Sequence, residues 1–262
     1  MKPSMVSLFD SNSHPTLSGR WPVKALDSSF KRLARELEKN HYHGACAVGI
    51  WGLESYKHQA FIEQCQQHAG LVPIAGFSPA ASSNIDRDLM TIKKMGFKGI
   101  KIHPKQPVIR LKDPRLFKTV KIAEQLQLRI FLCTYLHSPL KNYPSEDPLW
   151  DIVALLRSAP EASVMLVHAG DVNLLRYAEL VRFNPNLLLD LSLTFMKYRS
   201  SSLDMDIRFL FEQFDQRICI GTDFPEYSHQ EVREQFVKMS RGLSREKLEN
   251  IGHRNVERFL GL

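Results

Sequence analysis

The sequence predicts a single α/β domain folded as a (β/α)8 barrel, the TIM-barrel architecture. Short apolar runs alternate with amphipathic helical patterns along the chain, and this alternation occurs eight times. No Pro/Gly/Ser-rich linker divides residues 1–262. An open doubly wound sheet is the alternative, but the segment after the first strand, DSNSHPTLSG, lacks the glycine-rich phosphate loop that would favour it.

Eight runs have the apolar, β-branched character of buried strands. They are Met5–Phe9, Ala45–Ile50, Val72–Phe77, Gly99–His103, Arg129–Tyr135, Val164–His168, Leu187–Leu191 and Arg217–Gly221. A chain of 262 residues divided by eight leaves about 33 residues per unit, enough for one strand and one helix. Strands that alternate with helices favour a parallel sheet covered on both faces.

The segments between the runs have helical periodicity. The helices predicted from it are Ser28–Asn40, Pro114–Gln127, Asp171–Arg182, Leu203–Phe214, Gln230–Ser240 and Arg245–Leu260. The first places Phe30, Leu33 and Leu37 on one face behind a serine cap. Asp113 precedes a proline at the first position of the second, a typical helix start.

Charge and composition exclude several classes of protein. With 35 Lys+Arg and 28 Asp+Glu, the net charge is 35 − 28 = +7, and 44% hydrophobic residues indicate a globular chain. The basic residues form no stripe, so no nucleic-acid partner is expected. Neither a signal peptide nor an apolar stretch of membrane-spanning length is visible, and we expect a cytoplasmic protein without a membrane partner. The four cysteines form no CxxC pair.

Polar residues at the strand ends carry the functional prediction, because the chemistry of this barrel class lies at the carboxyl ends of the strands. His14, His168 and Asp223 follow strands one, six and eight and would face the same mouth. Two imidazoles and a carboxylate suit a zinc-type ion that keeps an open position for water. Alternatively, one histidine acts as a general acid or base. Further polar residues at these ends are Asn12, Lys101, His103, Cys133, Tyr135 and His137.

Five segments in order give the chain a family resemblance. They are FDSNSHP at residues 9–15, GFKGIKIHP at 96–104, MLVHAGD at 165–171, CIGTDFPEY at 219–227 and NIGHRNVERFLGL at 250–262. With them the chain resembles the amidohydrolase-related family of metal-dependent hydrolases and decarboxylases, a branch of the amidohydrolase superfamily. DSNSHPTLSGRW, LCTYLHSP and NLLLDLSLTFMKY are similar to small members from bacterial surface-polysaccharide gene sets.

The sequence departs from the family pattern at two ligand positions. The family's first strand carries two histidines separated by one residue, whereas Asn12 stands at the first of these places and His14 at the second. Cys133 stands where strand five usually supplies a histidine. The resemblance therefore implies one divalent ion, zinc by preference, held by His14, Cys133, His168 and Asp223.

Three functions follow from this set. In the first, a metal-activated water cleaves an amide, ester or lactone bond of a small, anionic or sugar-derived substrate, with Asp223 and His168 as catalytic residues. Asn12, Lys101, His103, Tyr135 and His137 would then bind the substrate. In the second, the same site decarboxylates its substrate. In the third, the site has lost its metal and the barrel is a binding protein. A homodimer is common in the family.

Overall fold

Eight parallel strands form one sheet in the order in which they occur in the chain. The computed structural model describes residues 6–53, 55–105, 109–135 and 147–262. The strands are β1 Leu8–Ser13, β2 Tyr42–Val48, β3 Leu71–Phe77, β4 Gly99–Ile102, β5 Arg129–Cys133, β6 Val164–Val167, β7 Leu187–Asp190 and β8 Ile218–Cys219. The segment after β8 returns to β1, where Ser11 N donates to Ile220 O at 3.1 Å and Asp223 N donates to Asn12 O at 2.9 Å. The sheet is thereby nearly closed, and the predicted (β/α)8 barrel is confirmed.

Helices follow the strands and surround the sheet. Within the described residues they are α1 Phe30–Lys39, α2 His58–Gln66, α3 Ile85–Met95, α4 Pro114–Gln125, α5 Pro148–Arg157, α6 Leu174–Arg182, α7 Thr194–Lys197, α8 Leu203–Gln213, α9 His229–Met239, α10 Arg245–Glu249 and α11 Asn255–Leu260. Side-chain caps begin several of them, including Ser29 at α1 and Asp113 at α4, as the sequence predicts. None of the described helices has the length and apolar character needed to cross a membrane.

The apolar core has two layers. The larger layer lies between the sheet and the helices, where Phe30, Leu33 and Leu37 of α1 are buried. The smaller layer fills the barrel interior, and Val256 and Leu260 of α11 belong to it together with Phe9 and Phe131. The last helix therefore closes the amino-terminal end of the barrel, which leaves the opposite end free for a cavity.

Two boundaries differ from the prediction in ways that matter for the site. The first strand is Leu8–Ser13 instead of Met5–Phe9, so Asp10 and Asn12 lie inside a strand. Polar side chains are tolerated there because they bond to one another and to the neighbouring strands. The last predicted helix, Arg245–Leu260, is interrupted by a wider π turn at Asn250–Arg254.

Candidate active site

A cavity of about 440 Å³ opens at the carboxyl ends of the strands. It is lined by most of the side chains predicted for the site: His14, Lys101, His103, Cys133, Tyr135, His168 and Asp223. Asn12 is fully buried and is not among the lining residues. His137 lies outside the described residues. The barrel topology therefore brings together residues that are more than 200 positions apart in the chain.

Strands β1 and β8 position the first pair of functional groups. His14 Nε2 lies 3.3 Å from Asp223 Oδ1, and Asn12 Nδ2 donates to the same oxygen at 2.8 Å. The other ring nitrogen of His14 lies 3.0 Å from Val48 O. Since a carbonyl oxygen only accepts, Nδ1 carries the proton and Nε2 faces the carboxylate. Burial raises the pKa of Asp223, but the charges of His168, His14 and Lys101 outweigh it and hold that pKa below its usual range.

The turn after β6 places His168 on the facing wall of the cavity. His168 has a φ of 69°, in the left-handed region, and Gly170 continues this conformation at 71°. His168 Nδ1 lies 3.0 Å from Ser192 O, so Nε2 is the nitrogen directed away from that carbonyl. Ser192 Oγ in turn donates to the buried carboxylate of Asp190. These hydrogen bonds fix the orientation of the His168 ring.

Cys133, at the end of β5, lies between two imidazoles and is fully buried. His103 and His168 are its charged neighbours in the cavity. Burial raises the pKa of the Cys133 thiol, yet the two histidines outweigh burial and hold it well below its usual value. Burial also lowers the pKa of His168, but the charges of Asp223 and Cys133 raise it to about 9. The other three cysteines are buried and free, and burial raises the pKa of each of them.

Lys101 supplies a buried cation at the cavity floor. It is 4% exposed, and Nζ finds no hydrogen-bond acceptor among the described residues. Burial lowers the pKa of this ammonium, although Cys133 and Asp223 oppose the effect. His103 Nδ1 is likewise buried without a partner within the described chain. Unsatisfied buried donors are costly, so both groups are suited to meet an anionic group of a ligand.

The segment between β1 and α1 covers one side of the cavity. The Trp21 indole stacks on the His14 ring at 5.9 Å between centroids. Trp21 Nε1 donates to Glu226 Oε1 at 2.7 Å, and Lys24 forms an ion pair with the same carboxylate. These contacts tie the covering segment to the loop after β8.

A second group of cations lies around Tyr135, which also lines the cavity. Lys197 Nζ donates to Tyr135 OH at 3.1 Å and lies 3.4 Å from Asp171 Oδ2. Lys105 Nζ lies 4.5 Å above the Tyr135 ring. The cavity is therefore bordered by more cations than carboxylates, as a site for an anionic molecule requires.

Comparison with protein-family models identifies the family of this chain. The amidohydrolase family model matches residues 54–262, about four fifths of the chain. The chain belongs to the amidohydrolase family. The match includes the segments that carry His168 and Asp223, and it begins beyond β1, which contains Asn12 and directly precedes His14. Among curated protein sequences, none matches this amidohydrolase.

Solved structures share its barrel. An uncharacterized TIM-barrel protein from Bordetella bronchiseptica is 17% identical with a TM-score of 0.77, covering 98% of this chain and 99% of the other. A probable 2-pyrone-4,6-dicarboxylic acid hydrolase from Acinetobacter baumannii, with citric acid bound, is 16% identical (TM-score 0.69; 98% and 100% covered). A dihydroxybenzoic acid decarboxylase from a Polaromonas species, with manganese and 2-nitroresorcinol bound, is 15% identical (TM-score 0.68; 98% and 98% covered). At these identities the likeness establishes the fold.

Amidohydrolases typically use a divalent metal ion, and the cavity donors fit one chemically. His14 and His168 each direct Nδ1 at a backbone carbonyl, which is how metal-binding histidines are usually oriented. The 3.3 Å between His14 Nε2 and Asp223 Oδ1 is the spacing of two ligands on one ion. The negative charges that favour a proton on His168 would also favour a metal cation at the position of that proton.

The spacing of the third donor limits this fit. Within the described chain, the only three ligand-type residues whose donor atoms all lie within 4.8 Å of one another are elsewhere on the molecule. His168 therefore stands farther than 4.8 Å from His14 or from Asp223. The four predicted ligands share one cavity, with His14 and Asp223 at ligand spacing and Cys133 in contact with His168. Their role as metal ligands stays a prediction.

A buried hydrogen-bond network lies beneath the cavity, and the sequence does not predict it. Asp10 accepts hydrogen bonds from Ser13 Oγ at 2.6 Å and from the backbone nitrogen of Thr222 at 2.9 Å. His229 Nε2 lies 2.9 Å from Asp10 Oδ2, and both side chains are fully buried. Asp10 thereby joins β1 to the loop that carries Asp223. His229 begins α9 within a polar stretch, and no motif in the sequence indicates its role.

Proposed function

We propose that this amidohydrolase cleaves an ester, lactone or amide bond of a small carboxylate-bearing substrate at the barrel mouth, with one divalent ion bound by His14, His168 and Asp223. The observation that carries the proposal is the Asp223 carboxylate. It is ionised, faces the cavity and is held through Oδ1 by both Asn12 and His14. A carboxylate that its neighbours hold through one oxygen is suited to accept a proton on the other.

The chain's own residues divide the chemistry between them. A divalent ion, when bound, would polarise the scissile carbonyl and lower the pKa of a water molecule. Asp223 Oδ2 would accept the proton of the attacking water, because Asn12 and His14 contact Asp223 through Oδ1. Asn12 orients Asp223. Cys133 is close to His168, and as a further ligand its soft sulfur would favour zinc over manganese.

The buried cations define the substrate class. Lys101 Nζ and His103 Nδ1 have no partners among the described residues, and a substrate carboxylate would satisfy both. Lys197 and Tyr135 border the same cavity and suit a second polar group, such as a sugar hydroxyl or another carboxylate. The bound citric acid in the Acinetobacter baumannii neighbour supports a carboxylate ligand for this barrel type.

A reducing compartment would keep the Cys133 thiol unoxidised and available as a ligand. All four cysteines are free, and three of them are buried away from the cavity. We therefore place the enzyme in the cytoplasm, acting on a free small molecule.

Product analysis tests the proposal. Purified full-length protein, loaded with Zn²⁺ or Mn²⁺, is incubated with a panel of carboxylated lactones, esters and amides, and with hydroxybenzoates. We expect a new carboxylic acid from a lactone, ester or amide, and no product with a His14→Gln variant. Release of CO₂ from a hydroxybenzoate would overturn hydrolysis in favour of decarboxylation. Metal-independent ligand binding without turnover across the panel would indicate a binding protein instead.

A further inference from the structure

Three ligand-type side chains converge at the base of the barrel, on the side opposite the cavity. They are His43 at the start of β2, His253 in the π turn and Glu257 in α11. Their donor atoms all lie within 4.8 Å of one another. We infer that this His43–His253–Glu257 group, here called the base triad, binds one divalent transition-metal ion of the zinc type and thereby secures the closing helix.

The geometry of the base triad is close to that of a metal site. Glu257 Oε1 lies 2.7 Å from His43 Nε2, and Glu257 Oε2 lies 2.8 Å from His253 Nδ1. His253 and Glu257 are four residues apart, so they project from one face of the helical segment. Ligand atoms bound to one zinc ion at about 2.0–2.2 Å lie at most roughly 4 Å apart, and small side-chain rotations would bring this group to that spacing.

Surrounding contacts orient the imidazoles for this role. Ser7 Oγ lies 2.8 Å from His43 Nδ1, so His43 directs Nε2 toward Glu257. The rings of His43 and His253 meet edge to face at 5.2 Å between centroids, with the carboxylate between their nitrogens. The side chains remain 39%, 21% and 28% exposed, so an ion and its water ligands can reach them.

The position of the base triad gives the ion a structural consequence. Val256 and Leu260, on either side of Glu257 in the sequence, fill the barrel interior. An ion shared by β2 and the closing helix would hold this plug in place. Because the triad exists only when the helix is docked, the ion would bind the folded chain in preference to the unfolded one and would stabilise it. Without an ion, the same contacts act as ion pairs between histidine and glutamate.

Metal titration of the full chain separates the two roles. Tag-free protein is freed of metal with a chelator and titrated with Zn²⁺ by calorimetry, and thermal unfolding is followed with and without Zn²⁺. To remove the contribution of the mouth, every sample also carries His14→Gln and Asp223→Asn. The test variants are His253→Ala and Glu257→Gln. The control is His41→Asn, which removes a nearby surface imidazole and keeps a residue suited to the positive φ of 55° at that position.

We expect one Zn²⁺ per chain in the parent and a higher unfolding temperature with the ion. Each test variant should weaken binding about tenfold or more and abolish the temperature shift, while the control retains both. The comparison uses the shift caused by Zn²⁺, so a variant that is less stable without metal still gives an answer. Unchanged Zn²⁺ affinity in both test variants, or no binding by the parent, would overturn the inference and leave the ion-pair role.

Discussion

The two ends of the barrel are built from different kinds of side chain. At the mouth, buried polar groups meet around a cavity, and some of them, such as Lys101 Nζ, lack partners within the described chain. At the base, Val256 and Leu260 belong to the apolar cluster that also contains Phe9 and Phe131 and fills the barrel interior. One sheet can therefore hold polar groups without partners at one end, because apolar packing at the other end stabilises the fold.

The largest expected effect of a single change is at the mouth. Asp223→Asn keeps the size of the side chain and removes the proton acceptor, so kcat/KM should fall by about 10²–10⁴-fold. The circular dichroism spectrum should be unchanged. The matched control is Asp206→Asn, the same substitution on α8, which should leave kcat/KM within about twofold. A loss of less than about tenfold in Asp223→Asn would show that another group takes the proton.

A change at the base should affect stability and leave catalysis unchanged. Leu260→Ala should lower the free energy of unfolding by about 2–5 kcal/mol, because a fully packed leucine leaves a cavity in the barrel interior. Denaturant unfolding measures this, and kcat per folded molecule should stay the same. Leu262→Ala, two residues on and 61% exposed, should change stability by less than about 0.5 kcal/mol. If Leu260→Ala reduced kcat of the folded protein, the two ends would be coupled.

A change at Lys101 separates binding from stability within the mouth. Lys101→Met removes the buried ammonium and keeps the length of the side chain. KM for a carboxylate substrate should rise about tenfold, as for the loss of one charged hydrogen bond. The free energy of unfolding should stay equal or increase, since the change removes a buried cation that has no hydrogen-bond partner among the described residues. Equal KM changes for a carboxylate substrate and its neutral amide would remove Lys101 from the binding site.

The smallest effect is expected where the covering segment meets the loop after β8. Trp21→Phe retains an aromatic ring on His14 and loses the hydrogen bond to Glu226. The cost should be about 1 kcal/mol, seen as a KM increase of roughly fivefold with kcat unchanged. Trp150→Phe, on an exposed part of α5, is the control and should not change KM. An equal effect of both variants would mean that Trp21 acts through stability alone.

The regular part of this molecule was predictable from its sequence. Eight apolar runs alternate with helical patterns along the chain. This alternation with short connections predicts the barrel. The prediction that His14, His168 and Asp223 meet at one mouth follows from the same rule, because parallel strands end on the same side. The strand limits were less accurate, since Asp10 and Asn12 continue β1 through contacts that only the closed barrel provides.

The less regular part depends on long-range contacts that carry no local signal. The sequence predicts that Asn12 binds substrate, and that role stays a prediction; its amide nitrogen donates to Asp223 Oδ1 and Ser192 Oγ, which the sequence does not indicate. His229 pairs with Asp10 from a helix more than 200 residues away. The break in the final helix at Asn250–Arg254 follows from its close passage over β1, where a side chain at Gly252 would meet Leu8. No periodicity or motif in the sequence indicates any of these contacts.

Metal content tests the central claim most directly, namely that the mouth is a metal-assisted active site. The full chain carrying His43→Ala and His253→Ala is prepared with Zn²⁺, dialysed and analysed by elemental mass spectrometry, so that the base triad does not contribute. We predict roughly one ion per chain, and less than about a tenth of an ion when His14→Gln and Asp223→Asn are added. Equal metal content in the two proteins would show that the mouth does not bind the ion through His14 and Asp223.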